Sequence, residues 1–192
     1  MSGATQTLGE ILDEHLAVAH VTRQRLLDEI ADFAAELSTA LEAGGKLVVF
    51  GNGGSAADAQ HFVAELVGRF HRPRPAIAAV ALTTNTSILT AIANDFGYDD
   101  VFARQVEAIC SDRDVVVGIS TSGGASSVVR ALETAQRIGA RTWGFTGAGG
   151  GRVGEVASRS IRVPSDVTAR IQEMHILIIH AVSELVDARM AP

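Results

Sequence analysis

His61 and Glu65, two residues capable of acid–base and metal-ligand chemistry, lie four positions apart in a segment whose pattern predicts a helix. At this spacing both side chains project from one helical face, so they suit two ligands of one metal ion, or an acid and a base beside one substrate. A surface His–Glu pair is the alternative, and the spacing alone favours it. The loop Gly51–Ser55, which precedes this helix, favours chemistry on a small phosphorylated molecule, because such a helix N-terminus offers unpaired N–H groups to an anion.

A second loop with phosphate-binding chemistry, Ser120–Gly124, follows an apolar run and contains three hydroxyls and two glycines. Hydroxyls donate hydrogen bonds to phosphate oxygens, and glycines let backbone N–H groups approach closely. Either loop alone is explained as well by helix capping, but two such loops after two predicted strands favour a shared site. Neither loop matches the dinucleotide or P-loop fingerprint, so no nucleotide cofactor is expected. A third glycine-rich loop, 146–151, is expected to be a plain flexible turn.

Polar side chains also occur in the predicted last helix, 168–189, where four consecutive aliphatic residues indicate burial on nearly all sides. Gln172, His175 and His180 therefore need partners. Gln172 and His180 lie on neighbouring stripes of one side, whereas His175 lies well round the helix from His180. This geometry does not choose between the two histidines, and a buried histidine bonded to a backbone carbonyl is the alternative for each.

Strand and helix patterns alternate after a long N-terminal helical region, 5–43, which ends at Gly44-Gly45. The predicted strands are 46–50, 77–81, 114–119, 141–145 and 159–163. The predicted helices are 55–69, 86–93, 99–110, 125–138 and 168–189. This alternation predicts an α/β protein with a doubly wound, five-stranded parallel sheet flanked by helices. In such sheets ligands bind beyond the carboxyl ends of the strands.

Composition restricts the function classes further. The 192 residues fit one domain, in which we expect an N-terminal helical oligomerisation segment, 1–44, and a phosphate-binding α/β core, 45–192. Hydrophobic residues make up 47%, but no run reaches the ~20 residues that cross a bilayer, and no secretory signal is recognisable. The single cysteine, Cys110, predicts a cytoplasmic location. The net charge of −6 disfavours a nucleic-acid partner.

Five motifs, in order along nearly the whole chain, resemble those of the SIS (sugar isomerase) domain, most closely the bacterial phosphoheptose isomerases. They are Phe50–Ser55, Asp58–Glu65, Ala93–Gly97, Ile119–Gly123 and Arg170–His180. The resemblance implies the SIS fold, a homotetramer and a small sugar phosphate as the partner. It also implies an aldose–ketose isomerisation through an enediol, between sedoheptulose 7-phosphate and D-glycero-D-manno-heptose 7-phosphate, for activated heptose synthesis.

The resemblance also implies residue roles. Glu65 would be the base that moves a proton between C1 and C2, and His180 its acid/base partner. The implied substrate contacts are Asn52, Gly53, Gly54, Ser55, Glu65, Asn94, Asp95, Ser120, Thr121, Ser122 and Gln172. Some members bind zinc through the equivalents of His61, Glu65, Gln172 and His180. Two nitrogens and two oxygens suit zinc, although a zinc ion held by Glu65 competes with its use as a free base.

The chain departs from the family pattern at two positions near the expected pocket. Ala125 stands where the family has a phosphate-binding serine, with Ser126 as a possible substitute, and Ala169 stands where many members have an acidic residue. An isomerase of another heptose or of a pentose phosphate is therefore an alternative. A second alternative is a non-catalytic adaptor that binds the bacterial replication initiator, but that relative lacks the glutamate and final histidine present here. A sugar-phosphate-sensing regulator would carry a DNA-binding module, which this chain lacks.

Overall fold

A parallel five-stranded sheet forms the centre of the computed structural model, which describes residues 3–191. The strands are β1 (Leu47–Gly51), β2 (Ala79–Ala81), β3 (Val115–Ser120), β4 (Arg141–Thr146) and β5 (Arg159–Arg162). Their order in the sheet is β2-β1-β3-β4-β5, and every pair is parallel. The predicted fold class is confirmed, and each predicted strand is present with its ends shifted by at most two residues.

Eight α-helices and one 3₁₀ turn are present among the described residues. They are α1 (Gly3–Arg25), α2 (Leu27–Glu42), α3 (Gly54–Val67), α4 (Thr86–Phe96), the 3₁₀ turn (Tyr98–Asp100), α5 (Ala103–Ile109), α6 (Ser126–Ile138), α7 (Gly151–Val156) and α8 (Thr168–Met190). The helical region predicted over 5–43 is present as the pair α1 and α2, which are separated at Leu26, where the backbone has φ −120° and ψ 7°. The predicted helix 99–110 is instead the 3₁₀ turn followed by the shorter α5, and the glycine-rich α7 was not predicted.

Helices cover both faces of the sheet. The buried residues of α2, α3 and α8 form the core on one face, whereas those of α5, α6 and α7 form it on the other. Every residue of β1 and β3 is buried, as expected for parallel strands covered on both sides. On α8 the buried apolar residues recur every three or four positions, at Ile171, Met174, Ile178, Val182 and Val186. This periodicity holds α8 against the sheet and thereby places its polar residues.

The helix α4 is packed far more lightly. None of its residues is buried, and a cavity of about 550 Å³, lined mainly by apolar side chains, separates it from α5 and β2. Within residues 3–191, none of the helices combines the length and the apolar character needed to cross a membrane.

Candidate active site

The candidate site lies where the direction of strand addition reverses. The chain passes from β1 to β2 on one side and then crosses to β3 on the other side of β1. Gly51 pairs with Ile119 at the carboxyl ends of β1 and β3, so the first glycine loop and the hydroxyl loop begin side by side. Such a switch point opens the crevice in which open α/β sheets bind ligands.

Two helices with uncapped N-termini begin at this switch point. Neither α3 nor α6 has a side-chain cap, whereas α4 is capped by Asn85, whose Oδ1 accepts a hydrogen bond from the Ile88 backbone N–H at 3.1 Å. Gly53 precedes α3 with φ +56°, a conformation that favours glycine. Ser55 therefore does not cap α3, whereas in the hydroxyl loop Oγ of Ser122 accepts a hydrogen bond from the Gly124 N–H at 3.2 Å. Because neither helix N-terminus has a side-chain cap, both offer N–H groups to an anion.

The side chains of His61 and Glu65 on α3 and of His180 on α8 converge on one another. Nε2 of His61 lies 2.9 Å from Oε1 of Glu65 and 3.1 Å from Nε2 of His180. One potential metal-ligand atom from each of the three residues lies within 4.8 Å of the others. A single nitrogen that carries at most one proton cannot satisfy both neighbours fully, whereas a shared cation would satisfy all three atoms. The structure therefore favours His180 over His175 as the partner of Glu65.

The packing of α3 against α8 sets the distances within this cluster. Phe70 stacks on the His180 ring, with the ring centroids 5.6 Å apart. The Arg74 guanidinium donates to the backbone carbonyls of Glu65 and Leu66 at 2.8 Å each, and it pairs with Asp187 on α8. The side chains of Arg74 and Asp187 are 0% and 1% exposed. A buried ion pair thus links the end of α3, where Glu65 lies, to the helix that carries His180.

Asp58 is a further acidic group at the site, and the sequence analysis assigned it no role. It lies one turn before His61 on α3, and its Oδ2 is buried without a hydrogen-bond partner among the described residues. Burial raises the pKa of Asp58 to about 6, and the charge of His61 offsets this effect only in part. The spacing of three residues between Asp58 and His61 was the signal that could have identified it.

His175 is a core residue. It is 0% exposed, and its Nε2 lies 3.3 Å from the backbone carbonyl of Thr146. Burial lowers the pKa of His175 to about 4, although the contact with Thr146 acts in the opposite direction. His175 is therefore neutral at physiological pH, and it corresponds to the buried, carbonyl-bonded alternative considered from the sequence.

Gln172 and Asn52 both lie at the first glycine loop. A Cβ added to Gly54 would lie 2.3 Å from Nε2 of Gln172, so the missing side chain at position 54 makes room for Gln172. The Asn52 side chain is hydrogen-bonded to Ser127 and Tyr98. Both predicted substrate residues thus reach the switch point from different elements.

The structure gives less support for a position of Asn94 and Asp95 at the candidate site. Both lie near the end of α4 and are exposed, with Nδ2 of Asn94 donating to Oδ1 of Asp95 at 2.8 Å. Asp95 lines the apolar cavity between α4 and α5. Their role at the site remains a prediction.

The third glycine loop is joined to the hydroxyl loop by backbone hydrogen bonds. The Gly147 N–H donates to the Thr121 carbonyl, and the Val153 N–H donates to the Gly123 carbonyl, both at 2.9 Å. The third loop therefore supports the hydroxyl loop and is more than a flexible turn.

Ser126 lies in a separate surface pocket with Arg130 and Arg152, while Thr121 and Ser122 line another. This placement disfavours Ser126 as a substitute for the serine missing at position 125.

Known proteins match this chain in sequence and in fold. The SIS domain family matches residues 12–147. A probable phosphoheptose isomerase of Thermoplasma acidophilum is 54% identical over 163 residues, which cover 85% of this chain and 90% of the relative. The phosphoheptose isomerase of Geobacter sulfurreducens is 53% identical over 175 residues, or 91% and 93% of the two chains. The solved phosphoheptose isomerase from Neisseria gonorrhoeae has a TM-score of 0.92 at 39% identity, covering 96% of this chain and 99% of that one.

The fold is that of a sugar-isomerase α/β domain, and His61, Glu65 and His180 cluster between α3 and α8. With the matches to its relatives, this chain belongs to the SIS domain family and, within it, to the phosphoheptose isomerases.

Proposed function

We propose that this enzyme interconverts sedoheptulose 7-phosphate and D-glycero-D-manno-heptose 7-phosphate through an enediol. The observation that carries the proposal is the convergence of His61, Glu65 and His180, two of which lie on α3, a helix whose N-terminus has no side-chain cap. An adaptor that binds another protein needs no such convergence. Relatives that are 54% and 53% identical in sequence and are named phosphoheptose isomerase support the same substrate class.

The phosphate of the substrate would bind at the switch point between β1 and β3. The open N-termini of α3 and α6 provide N–H groups and positive dipole ends. Ser55 and the hydroxyls of Ser120, Thr121 and Ser122 add donors around them. Asn52, Gly53, Gly54 and Gln172 would contact the sugar from the first glycine loop and α8, and Asn94 and Asp95 from the end of α4.

Proton transfer would then take place at C1 and C2, at the opposite end of the sugar chain from the phosphate on C7. The Glu65 carboxylate would remove a proton from the carbon adjacent to the carbonyl, and the C–H electron pair would form the enediol double bond. The same group would return a proton to the neighbouring carbon, while His180 would exchange a proton with the two oxygens. The Glu65 side chain is 21% exposed, so it remains accessible to a substrate while it is partly shielded from water.

The same donor set fits a zinc ion. Tetrahedral zinc ligands at about 2.1 Å lie about 3.4 Å from one another, and the 2.9 Å and 3.1 Å separations here are close to that value. His61, Glu65 and His180 would hold the ion, with Gln172 as a fourth ligand. When bound, zinc would polarise the substrate carbonyl as a Lewis acid.

Self-association as a homotetramer is part of the proposal. Leu8, Leu12 and Leu16 of α1 are 60%, 61% and 63% exposed and lie on one face. A stripe of this kind on an N-terminal helix needs an apolar partner, and a second copy of this chain presents the same stripe. We also propose a cytoplasmic location, because the single cysteine excludes an internal disulfide.

The departures at Ala125 and Ala169 favour a test with more than one sugar. Purified enzyme would be incubated with sedoheptulose 7-phosphate, with ribulose 5-phosphate as the comparison, and aldose formation would be followed together with the zinc content. Turnover of the heptulose phosphate with a higher kcat/KM supports the proposal. Preference for the pentulose phosphate, or no turnover of either by folded, zinc-loaded enzyme, would contradict it.

A further inference from the structure

A tyrosine in the 3₁₀ turn reaches across the site to the first glycine loop. The Tyr98 hydroxyl donates to Oδ1 of Asn52 at 2.8 Å, although the two residues are 46 positions apart. Tyr98 is 57% exposed, so burial of its ring does not account for its position. The hydrogen bond to Asn52 thus connects this turn with the loop after β1, while Asp100 of the same turn pairs with Arg130 of α6.

The other end of the Asn52 amide is held as well. Its Nδ2 donates to Oγ of Ser127 at 3.1 Å, and Ser127 is only 3% exposed. An asparagine side chain has two N–H donors and one carbonyl. With Oδ1 bonded to Tyr98 and one N–H bonded to Ser127, one N–H remains for a substrate oxygen.

Three separate segments of the site meet at this amide. Asn52 belongs to the glycine loop after β1, and Ser127 begins the helix that follows the hydroxyl loop. Tyr98 follows α4 directly after Gly97, which has φ +93°. Because α4 contains no buried residue, packing restrains it weakly, and the hydrogen bond of Tyr98 provides a specific anchor for its end.

We propose that Tyr98 is a positioning residue for substrate binding. It acts through Asn52, whose free N–H it directs toward the sugar phosphate, and it holds the end of α4, with Asn94 and Asp95, over the switch point. Its hydrogen bond goes to Asn52 and not to the cluster of His61, Glu65 and His180. Its contribution is therefore to binding and not to the chemical step. This inference rests on the proposed sugar-phosphate site.

Tyr98→Phe tests this role because it removes only the hydroxyl. KM for sedoheptulose 7-phosphate is expected to rise about three- to tenfold, the range for one hydrogen bond, while kcat changes less than about twofold. The thermal unfolding temperature is expected to stay unchanged, since the side chain is exposed. Thr90→Ala is the matched control, because Thr90 loses a hydroxyl on exposed α4 that bonds only to the α4 carbonyls of Thr86 and Ser87.

A double-mutant cycle tests whether Tyr98 acts through Asn52. In the Asn52→Ala background, Tyr98→Phe is expected to raise KM no further. Additive effects would overturn the inference, as would an unchanged KM in Tyr98→Phe or an equal loss in Thr90→Ala. Calorimetry on the same variants gives the dissociation constants of inorganic phosphate and of the sugar phosphate. These constants repeat the cycle without any turnover. Wild-type enzyme that binds the sugar phosphate but does not isomerise it would thus refute the proposed function separately from the role of Tyr98.

Discussion

The α3–α8 pair and α4, which we both assign to the proposed site, are built in opposite ways. The α3–α8 pair carries His61, Glu65 and His180, and it is held by a continuous apolar core and by a buried ion pair. The α4 segment carries Asn94 and Asp95, contains no buried residue and lies over a cavity of about 550 Å³. Groups that must transfer a proton need fixed separations, whereas groups that recognise a sugar tolerate a more loosely held helix. In the proposed site, rigid chemistry would thus be separated from adjustable recognition.

The buried pair of Arg74 and Asp187 provides the strongest test of this comparison. Asp187→Ala leaves a buried guanidinium without its partner, so we expect the free energy of unfolding to fall by about 3–5 kcal/mol. Denaturant titration measures this change. Glu42→Gln is the control, because it weakens an exposed ion pair between α2 and Arg189, which lies on α8 like Asp187. This substitution is expected to change stability little. Equal effects of the two substitutions would show that the buried pair does not hold α3 and α8 together.

The same substitution made in both regions sharpens the contrast. Ile178 on α8 is 0% exposed, whereas Ile88 on α4 is 39% exposed. We expect Ile178→Ala to cost about 2–5 kcal/mol, because it leaves a cavity in the core, and Ile88→Ala to cost under about 1 kcal/mol. Denaturant titration of both variants measures the difference. A similar cost for Ile88→Ala would mean that α4 is covered in the assembled enzyme and that the contrast does not hold.

The pH dependence of stability tests the packed region through His175. Burial lowers its pKa from 6.5 to about 4 in the folded chain. As the pH falls below 6.5, the unfolded chain therefore takes up a proton that the folded chain does not, and stability is lost toward pH 4. The shift corresponds to at most about 3 kcal/mol. We expect wild type to lose more stability across this range than His175→Gln, and parallel pH profiles of the two proteins would contradict the burial of a neutral imidazole.

Much of the fold and of the reactive cluster could be predicted from the sequence, because the signals were local. The alternation of strands and helices was enough for the sheet, and the spacing of His61 and Glu65 placed them on one helical face. Helix geometry could not choose between His175 and His180, since the choice depends on the rotation of α8 against the sheet, and only the family resemblance named His180. The break at Leu26 has no glycine or proline signal. Tyr98 and Ser127 were missed because their hydrogen bonds span 46 and 75 residues.

Solvent exchange at the reacting carbons tests the central claim most directly, namely that the α3–α8 cluster transfers the proton. Sedoheptulose 7-phosphate would be incubated in D₂O with wild type, Glu65→Gln or the exposed control Glu107→Gln, and carbon-bound deuterium would be measured by NMR. We expect wild type and Glu107→Gln to incorporate deuterium at C1 and C2. We expect Glu65→Gln to exchange about 10²- to 10⁴-fold more slowly at an unchanged unfolding temperature. Exchange or isomerisation by Glu65→Gln at the wild-type rate would contradict the account.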